Sequence, residues 1–100
     1  MSKVVVRYRV KPDQVKRNEE LVGAMYEELH RTGPSGFRYA TFKLDDGVSF
    51  MHVAQQEGEH NPLSEIAAAK EFQRDIADRC DEPPVVTQLT EIGSYEFWAG

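Results

Sequence analysis

The first part of the chain alternates apolar and polar residues over positions 3–10, Lys-Val-Val-Val-Arg-Tyr-Arg-Val. Such a run of β-branched and aromatic residues is typical of a strand, whose side chains point to alternate faces. The stretch from 12 to about 32 changes to the helical period, with apolar residues three, four or seven positions apart. This pattern predicts an amphipathic helix that begins at Pro12 and ends at Gly33-Pro34.

Turn-forming and capping residues also separate the predicted elements in the second half of the chain. Residues 37–44 and 48–56 are both strand-like, and the Asp46-Gly47 pair between them predicts a hairpin. A second helix is predicted to begin near Asn61-Pro62. Its apolar stripe consists of Leu63, Ile66, Ala69, Phe72, Ile76 and Cys80. Residues 81–84, Asp-Glu-Pro-Pro, are expected to end that helix, and residues 85–92 to form the last strand.

The predicted order of elements is strand, helix, two strands, helix and strand, within a single domain of residues 1–100. It indicates an α+β fold of the ferredoxin-like βαββαβ type, with a four-stranded antiparallel sheet. Two helices can cover only one face of such a sheet. The other face still carries apolar residues, among them Val5 and either Phe42 or Tyr39 of the next strand. We therefore expect a homodimer that packs sheet face against sheet face, and the alternative is a monomer with a solvated second face.

Composition narrows the range of partners. The net charge of -5 argues against nucleic-acid binding, which needs clustered Lys and Arg, and against adhesion to an anionic membrane. Cys80 is the single cysteine, so an intrachain disulfide or a cysteine-based metal centre is not expected. No apolar run is long enough for a signal peptide or a membrane span. A reducing, cytoplasmic location is the expectation.

The arrangement of these segments resembles a known family. Residues 5–12 (Val-Val-Arg-Tyr-Arg-Val-Lys-Pro) lead into a helix, residues 33–39 read Gly-Pro-Ser-Gly-Phe-Arg-Tyr, the hairpin closes near Glu57, and residues 89–92 read Leu-Thr-Glu-Ile. Nearly the whole chain resembles the antibiotic biosynthesis monooxygenase-like family of the dimeric α/β-barrel superfamily. The resemblance implies a barrel of eight strands from two chains, with a pocket between sheet and helices in each. It also implies oxidation of a polyphenolic or quinol-type substrate without metal or flavin in some relatives, whereas others degrade haem, isomerise lactones or have no known activity.

The chain departs from this family at informative positions. Haem-degrading relatives place Asn on the first strand, Trp near the end of the third and His on the second helix. The corresponding positions here hold Val6, Gln56 and the segment 72–74 (Phe-Gln-Arg), so haem degradation is not expected. Gln56 also replaces the family's frequent aromatic residue before the acidic residue that closes the third strand, here Glu57. Two hypotheses remain: a cofactor-independent monooxygenase or binding protein for an aromatic or quinone-like compound, and a non-catalytic homodimeric binding or interaction module.

Cofactor-free oxygenation needs a base, and His52 is the candidate catalytic residue. It lies on the same side of the predicted strand as Phe50 and Ala54, which the resemblance places toward the helices. A free imidazole titrates near neutrality, which suits a base. The alternative is a structural histidine bonded to a neighbour. The predicted substrate-binding residues are Tyr8, Tyr26, Tyr39, Phe50 and Phe72. Ordinary core packing is the competing interpretation for the tyrosines. No cofactor and no metal ion are predicted.

Other motifs are interpreted as structural. Residues 36–42 (Gly-Phe-Arg-Tyr-Ala-Thr-Phe) look like an aromatic RNA-binding motif, but they fall on the second strand of an acidic domain. Residues 57–60 (Glu-Gly-Glu-His) with His52 lack the ligand spacing of the known zinc classes. The strand residues Arg7, Arg9 and Arg38 could bind an anion or form cross-strand ion pairs. Phe97 and Trp98 are expected to pack on a partner chain or to act as a lid.

Overall fold

The computed structural model describes residues 2–97. Its elements are β1 (Ser2–Val10), a 3-10 turn (Pro12–Gln14), α1 (Val15–Thr32), β2 (Phe37–Lys43), β3 (Ser49–Gln56), a 3-10 turn (Pro62–Glu65), α2 (Ala67–Arg74), α3 (Ile76–Arg79) and β4 (Cys80–Gln88). The four strands form one sheet in the order β2-β3-β1-β4, and each neighbouring pair is antiparallel. The predicted α+β, ferredoxin-like fold is confirmed.

The second half of the chain differs from the prediction in its boundaries. The predicted helix through Cys80 is interrupted at Asp75, whose φ of -120° and ψ of 24° lie outside helical geometry. β4 begins at Cys80 instead of residue 85, and it ends at Gln88 instead of residue 92. Proline normally ends a strand because it lacks an N–H donor, yet Pro83 and Pro84 are tolerated here. β4 is an edge strand that pairs only with β1, and its register shifts beside these prolines.

The predicted element ends follow from local hydrogen bonds. Gly33 has a φ of 54° and donates its N–H to the Leu29 carbonyl at 2.8 Å, which ends α1. The side chain of Asn61 accepts the N–H of Leu63 at 3.0 Å and so caps the 3-10 turn before α2. The hairpin turns at Gly47, where φ is 80°. Gly33 and Gly47 have the roles that the sequence predicted, whereas Asn61, predicted to cap the second helix, caps the 3-10 turn, and α2 begins later, at Ala67.

The core lies between the helices and one face of the sheet. Its buried apolar members are Tyr8, Val10, Leu21, Met25, Phe50, Ile66, Ala69, Phe72, Ile76 and Cys80. The opposite face, which we call the open face, has no helix over it. On this face Phe42 is 48% exposed and Val85 is 62% exposed, whereas Arg9 forms a cross-strand ion pair with Glu82 at 3.1 Å. The chain by itself therefore leaves apolar surface on the open face.

Candidate functional site

His52 lies in the middle of β3, on the face of the sheet that packs against the helices. Its neighbours across the sheet are Val6 of β1 and Thr41 of β2. The ring lies 5.5 Å from that of Phe72 on α2, centroid to centroid, and His52 is only 3% exposed. The predicted orientation of His52 toward the helices agrees with this packing.

Both ring nitrogens of His52 have hydrogen-bond partners. The Tyr8 hydroxyl lies 2.7 Å from Nε2, and the Tyr39 hydroxyl lies 2.6 Å from Nδ1. The Thr41 hydroxyl lies farther from Nδ1, at 3.1 Å, and is itself 2.8 Å from the hydroxyl of Tyr26. The polar atoms of this histidine are therefore satisfied within the chain, as buried polar groups generally are.

The hydrogen bonds continue from Tyr8 into the helices. Asn18 of α1 donates its amide N–H to the Tyr8 hydroxyl at 2.9 Å, and its carbonyl accepts from Arg79 Nε at 3.3 Å. Arg79 also donates to the backbone carbonyl of Phe72 at 2.9 Å, and its guanidinium lies 4.9 Å from the centroid of that ring. Asn18 is fully buried and Arg79 is 4% exposed. We call this chain of side chains the polar network: Arg79, Asn18, Tyr8, His52, Tyr39, Thr41 and Tyr26.

Burial sets the charge states within the polar network. It lowers the pKa of His52 to about 4, so the imidazole is neutral near pH 7. It raises the pKa of Tyr8 and of Tyr39 above the ordinary tyrosine value, so both hydroxyls keep their protons. Burial also lowers the pKa of Arg79 from its usual high value, but a guanidinium remains protonated. The network thus combines one fixed positive charge with a series of neutral groups.

A cavity of about 520 Å³ lies beside the network, under α2 and the turn before it. It is lined by Met25, Tyr39, Asn61, Leu63, Ser64, Ala69, Lys70, Phe72, Gln73 and Arg74. A smaller cavity of about 290 Å³ lies at the end of α1, and Tyr39 also lines that one, together with Tyr26. Of the polar network, Tyr39 is the side chain that lines the larger cavity. It therefore connects the buried hydrogen bonds to the space where a ligand would fit.

The structure brings the predicted site residues together but gives them different positions. Tyr39 and Phe72 line the larger cavity, and Tyr26 lines the smaller one. Tyr8 and Phe50 stack at 5.6 Å between centroids in the core, and they line neither of these two cavities. His52 does not line either cavity. The role of each residue in binding or catalysis stays a prediction.

Sequence reasoning missed Asn18 and Arg79, which complete the network. The position of Asn18 gives a signal, because it lies three residues before Leu21 and four before Val22, on the apolar stripe of α1. A polar residue on such a stripe needs a buried partner. Arg79 is the last residue of α3, directly before β4, and it lies three residues after Ile76 on the apolar stripe that the sequence predicted for the second helix. Trp98, by contrast, was singled out in the sequence and lies outside the described residues.

Other candidate sites have less support. Within residues 2–97, no group of three or more His, Cys, Asp and Glu side chains is arranged to hold a metal ion. His60 instead pairs with Glu65 at 3.0 Å on the surface. No helix in the described part of the chain is long and apolar enough to cross a membrane.

Comparison with known proteins relates this geometry to known folds. No protein-family model matches the chain, and no curated protein matches its sequence. Solved structures do match. One is a candidate antibiotic biosynthesis monooxygenase from Nitrosomonas europaea, with a TM-score of 0.74 and 17% identity over 93% of this chain and 100% of that chain. The fold is that of the antibiotic biosynthesis monooxygenase-like proteins.

Two further structures show how broadly this monooxygenase-like fold is used. A protein from Mycobacterium tuberculosis matches with a TM-score of 0.72 and 18% identity, over 93% of this chain and 96% of that chain. An L-rhamnose mutarotase from Formosa agariphila matches with a TM-score of 0.59 and 18% identity, over 96% and 100%. The resemblance stated from the sequence is confirmed in the fold. Since proteins named for different activities share it, the fold alone does not fix the reaction.

Proposed function

We propose that this chain binds a small aromatic or quinone-like compound in the larger cavity and oxidises it with O₂ without metal or flavin. The observation that supports binding is the make-up of the cavity wall. Met25, Ala69 and Phe72 supply apolar surface, and Tyr39 supplies a hydroxyl that is held by the buried polar network. A volume of about 520 Å³ falls within the usual range for small-molecule sites.

The proposed reaction converts an activated CH₂ group of an anthrone-type substrate into a carbonyl. One atom of O₂ enters the product and the other leaves as water, so the substrate supplies all the electrons. The substrate must first lose a proton, and its anion must be stabilised. His52 was predicted to take this proton. Since His52 does not line the cavity, it would reach the substrate through Tyr39, and only when Nδ1 carries no proton.

Oxygen consumption in the presence of a panel of anthrones and quinols tests the proposal. We expect the wild-type protein to consume O₂ with at least one of them, and Tyr39→Phe to reduce the rate by about tenfold or more, as expected for the loss of one hydrogen bond in the transition state. Tyr95→Phe is the matched control, because Tyr95 is exposed in the C-terminal segment. Equal rates in wild type and Tyr39→Phe would contradict a role for this hydroxyl.

A non-catalytic binding module of the same fold is the second candidate. The full hydrogen bonding of His52 favours it, because a base whose two nitrogens are both occupied is not poised to accept a proton. This candidate predicts that calorimetry detects binding of a quinone while the oxygen electrode detects no uptake with any quinol. Uptake that is lost in His52→Ala, with folding retained, would exclude it.

We also propose that two copies of the chain associate through their open faces. Phe42 and Val85 expose apolar surface there, and burying it is favourable. Gln55 lies on the same face, is 8% exposed, and its side-chain Oε1 is buried without a hydrogen-bond partner among the described residues. A second copy would cover the apolar surface and could supply a donor to Gln55. Sedimentation at micromolar concentration should give twice the chain mass, and a single species of 11.4 kDa would refute the dimer.

A further inference from the structure

The hydrogen bonds of the polar network have a fixed direction, and this direction begins at Arg79. A guanidinium only donates hydrogen bonds, so the Asn18 atom that faces Arg79 Nε at 3.3 Å must be the carbonyl oxygen. The other end of the same amide is then the NH₂ group. It donates to the oxygen of Tyr8 at 2.9 Å. Arginine therefore fixes the orientation of the asparagine side chain.

The hydrogen bonds keep the same donor-to-acceptor direction from Tyr8 to His52. The Tyr8 oxygen already accepts from Asn18, and its own proton needs an acceptor. Nε2 of His52 lies 2.7 Å away and is the acceptor that the network provides. If Nε2 carried the proton instead, the Tyr8 hydroxyl proton would be buried without a partner, which is unfavourable. Nε2 is therefore the acceptor.

A neutral imidazole carries one proton, so the proton of His52 is placed on Nδ1. Tyr39 is the nearer partner of Nδ1, at 2.6 Å compared with 3.1 Å for Thr41. The Tyr39 oxygen thus accepts from Nδ1–H. The proton of the Tyr39 hydroxyl is not used by His52, and it can point to Thr41 or to a ligand in the cavity.

We propose that Arg79 and Asn18 are positioning residues that hold His52 in the Nδ1–H tautomer and thereby make Tyr39 a hydrogen-bond donor to the ligand. The ligand must then present an acceptor oxygen, either a quinone carbonyl or a phenolate. In this tautomer Nδ1 already carries a proton, so His52 orients Tyr39 and cannot take the substrate proton through it; the inference supports the proposed ligand binding and counts against His52 as the base of the proposed oxidation. The ligand part of this inference rests on the proposed binding function, whereas the tautomer part concerns the protein alone.

Nuclear magnetic resonance of the ¹⁵N-labelled, ligand-free protein tests the tautomer at neutral pH. Long-range ¹H–¹⁵N correlations of the His52 ring should show a protonated Nδ1 and an unprotonated Nε2. A protonated Nε2 in the wild type would overturn the inference. This measurement needs no substitution, so it decides the question even if a variant fails to fold.

Asn18→Asp should reverse the direction of the hydrogen bonds that link residue 18, Tyr8 and His52. The introduced carboxylate can accept from both Arg79 and Tyr8, so Tyr8 donates to it and accepts from Nε2–H of His52. The ring proton should therefore move from Nδ1 to Nε2, a change that loss of packing alone would not produce. Gln14→Glu makes the same amide-to-acid change at the start of α1, outside the network, and should leave the Nδ1–H tautomer in place. An unchanged tautomer in Asn18→Asp, or a switch in Gln14→Glu, would refute the role of Asn18.

Titration with a naphthoquinone tests the ligand part. In Asn18→Asp, Tyr39 should donate to Nδ1 and be lost to the ligand, so the dissociation constant should rise about tenfold, the effect of losing one hydrogen bond. Tyr39→Phe should give a similar rise, and Gln14→Glu none. If the wild type shows the Nδ1–H tautomer but binds no quinone, the proposed function fails and the tautomer assignment stands. If the quinone binds equally to wild type and Asn18→Asp while the tautomer switches, the donor role of Tyr39 is refuted.

Discussion

At the residue scale, the surroundings of His52 favour one of its two charge states. Its ring is almost completely buried among Tyr8, Tyr39 and Phe72, and no carboxylate within residues 2–97 bonds to it. Burial without a counter-charge penalises the imidazolium form and lowers the pKa of His52 from 6.5 to about 4. The folded chain therefore resists a protonation that the unfolded chain accepts.

This difference predicts a pH-dependent loss of stability. The contribution of neutral His52 is fully present above the unfolded pKa of 6.5 and is lost as the pH falls from 6.5 to about 4. Its full size is about 3 kcal/mol in the free energy of unfolding, which corresponds to lowering the pKa from 6.5 to about 4. Urea unfolding of wild type and His52→Gln at a series of pH values should show a smaller slope in the variant over this range. A wild-type slope in His52→Gln would contradict the assignment.

Part of the site was predictable residue by residue. The period of two along β3 placed His52 on the same side as Phe50, and the family resemblance placed that side toward the helices; the structure agrees. The hydrogen-bond partners were not predictable. Tyr8 and Tyr39 lie 44 and 13 positions away in sequence, and they meet His52 only because β1 and β2 flank β3.

At the element scale, α1 holds the start of α2 in place. The carboxylate of Glu28 accepts the backbone N–H groups of Ala67 and Ala68 at 3.2 Å and 3.0 Å. These N–H groups have no partner inside the helix, and an acidic group near them also interacts favourably with the helix dipole. This contact fixes the helix that forms one wall of the larger cavity.

Glu28→Gln should therefore lower the melting temperature, whereas Glu27→Gln should leave it close to the wild-type value, because Glu27 is exposed on the same helix. The hydrogen bonds from Ala68 and Ala67 lower the pKa of Glu28. Its contribution is present above the unfolded glutamate pKa and is lost as the pH falls through the lower folded value. Thermal unfolding at neutral and acidic pH checks both points, and the prediction fails if both variants melt alike at neutral pH.

The glycine inside α1 and the glycine that ends it should respond differently to substitution by alanine. Gly33 has a positive φ of 54°, so Gly33→Ala should destabilise the chain by roughly 1–2 kcal/mol. Gly23 lies inside the helix with no atom within 4 Å of an added Cβ, so Gly23→Ala should stabilise it by about 0.5–1 kcal/mol. Urea unfolding of the two variants should give shifts of opposite sign. Shifts of the same sign would show that the left-handed conformation of Gly33 does not determine the effect of Gly33→Ala on stability.

The second helix shows where element prediction from sequence reaches its limit. Its apolar stripe continues without a break from Leu63 to Cys80, which predicted one continuous helix. The structure interrupts it at Asp75 and turns Arg79 inward to the Phe72 carbonyl and Asn18. Hydrophobic period reports which residues face the core, and it does not report whether the backbone between them stays helical.

At the scale of the whole molecule, the open face of the sheet combines exposed apolar side chains with a buried polar atom that lacks a hydrogen bond among the described residues. Gln55 has a buried oxygen without a partner among the described residues, and the same face of the sheet carries the exposed Phe42. A buried acceptor that lacks a hydrogen bond costs roughly 1–3 kcal/mol. If a second chain supplies the donor, this group stabilises the dimer instead.

Gln55→Met therefore distinguishes a dimeric protein from a monomeric one. In the proposed dimer it should weaken association by about 1–2 kcal/mol, because the donor on the partner loses its acceptor. In a monomer it should raise stability, since the unsatisfied oxygen is removed. Sedimentation equilibrium measures the first effect and urea unfolding the second, with Gln14→Met as a control away from the open face. A more stable variant with unchanged association would count against the dimer.

The sequence alone determined the order of the strands and helices, the alternation of side chains along each strand and the glycine cap at Gly33. Each depends on residues close together in the chain, through side-chain period and backbone preference. Tertiary structure decided the edge position of β4, the burial of Arg79 and the polar network that joins Asn18 to Tyr39. These depend on contacts between distant segments, and the direction of their hydrogen bonds exists only after the segments have met. The chemistry proposed for the cavity therefore depends on a donor whose orientation no local pattern encodes.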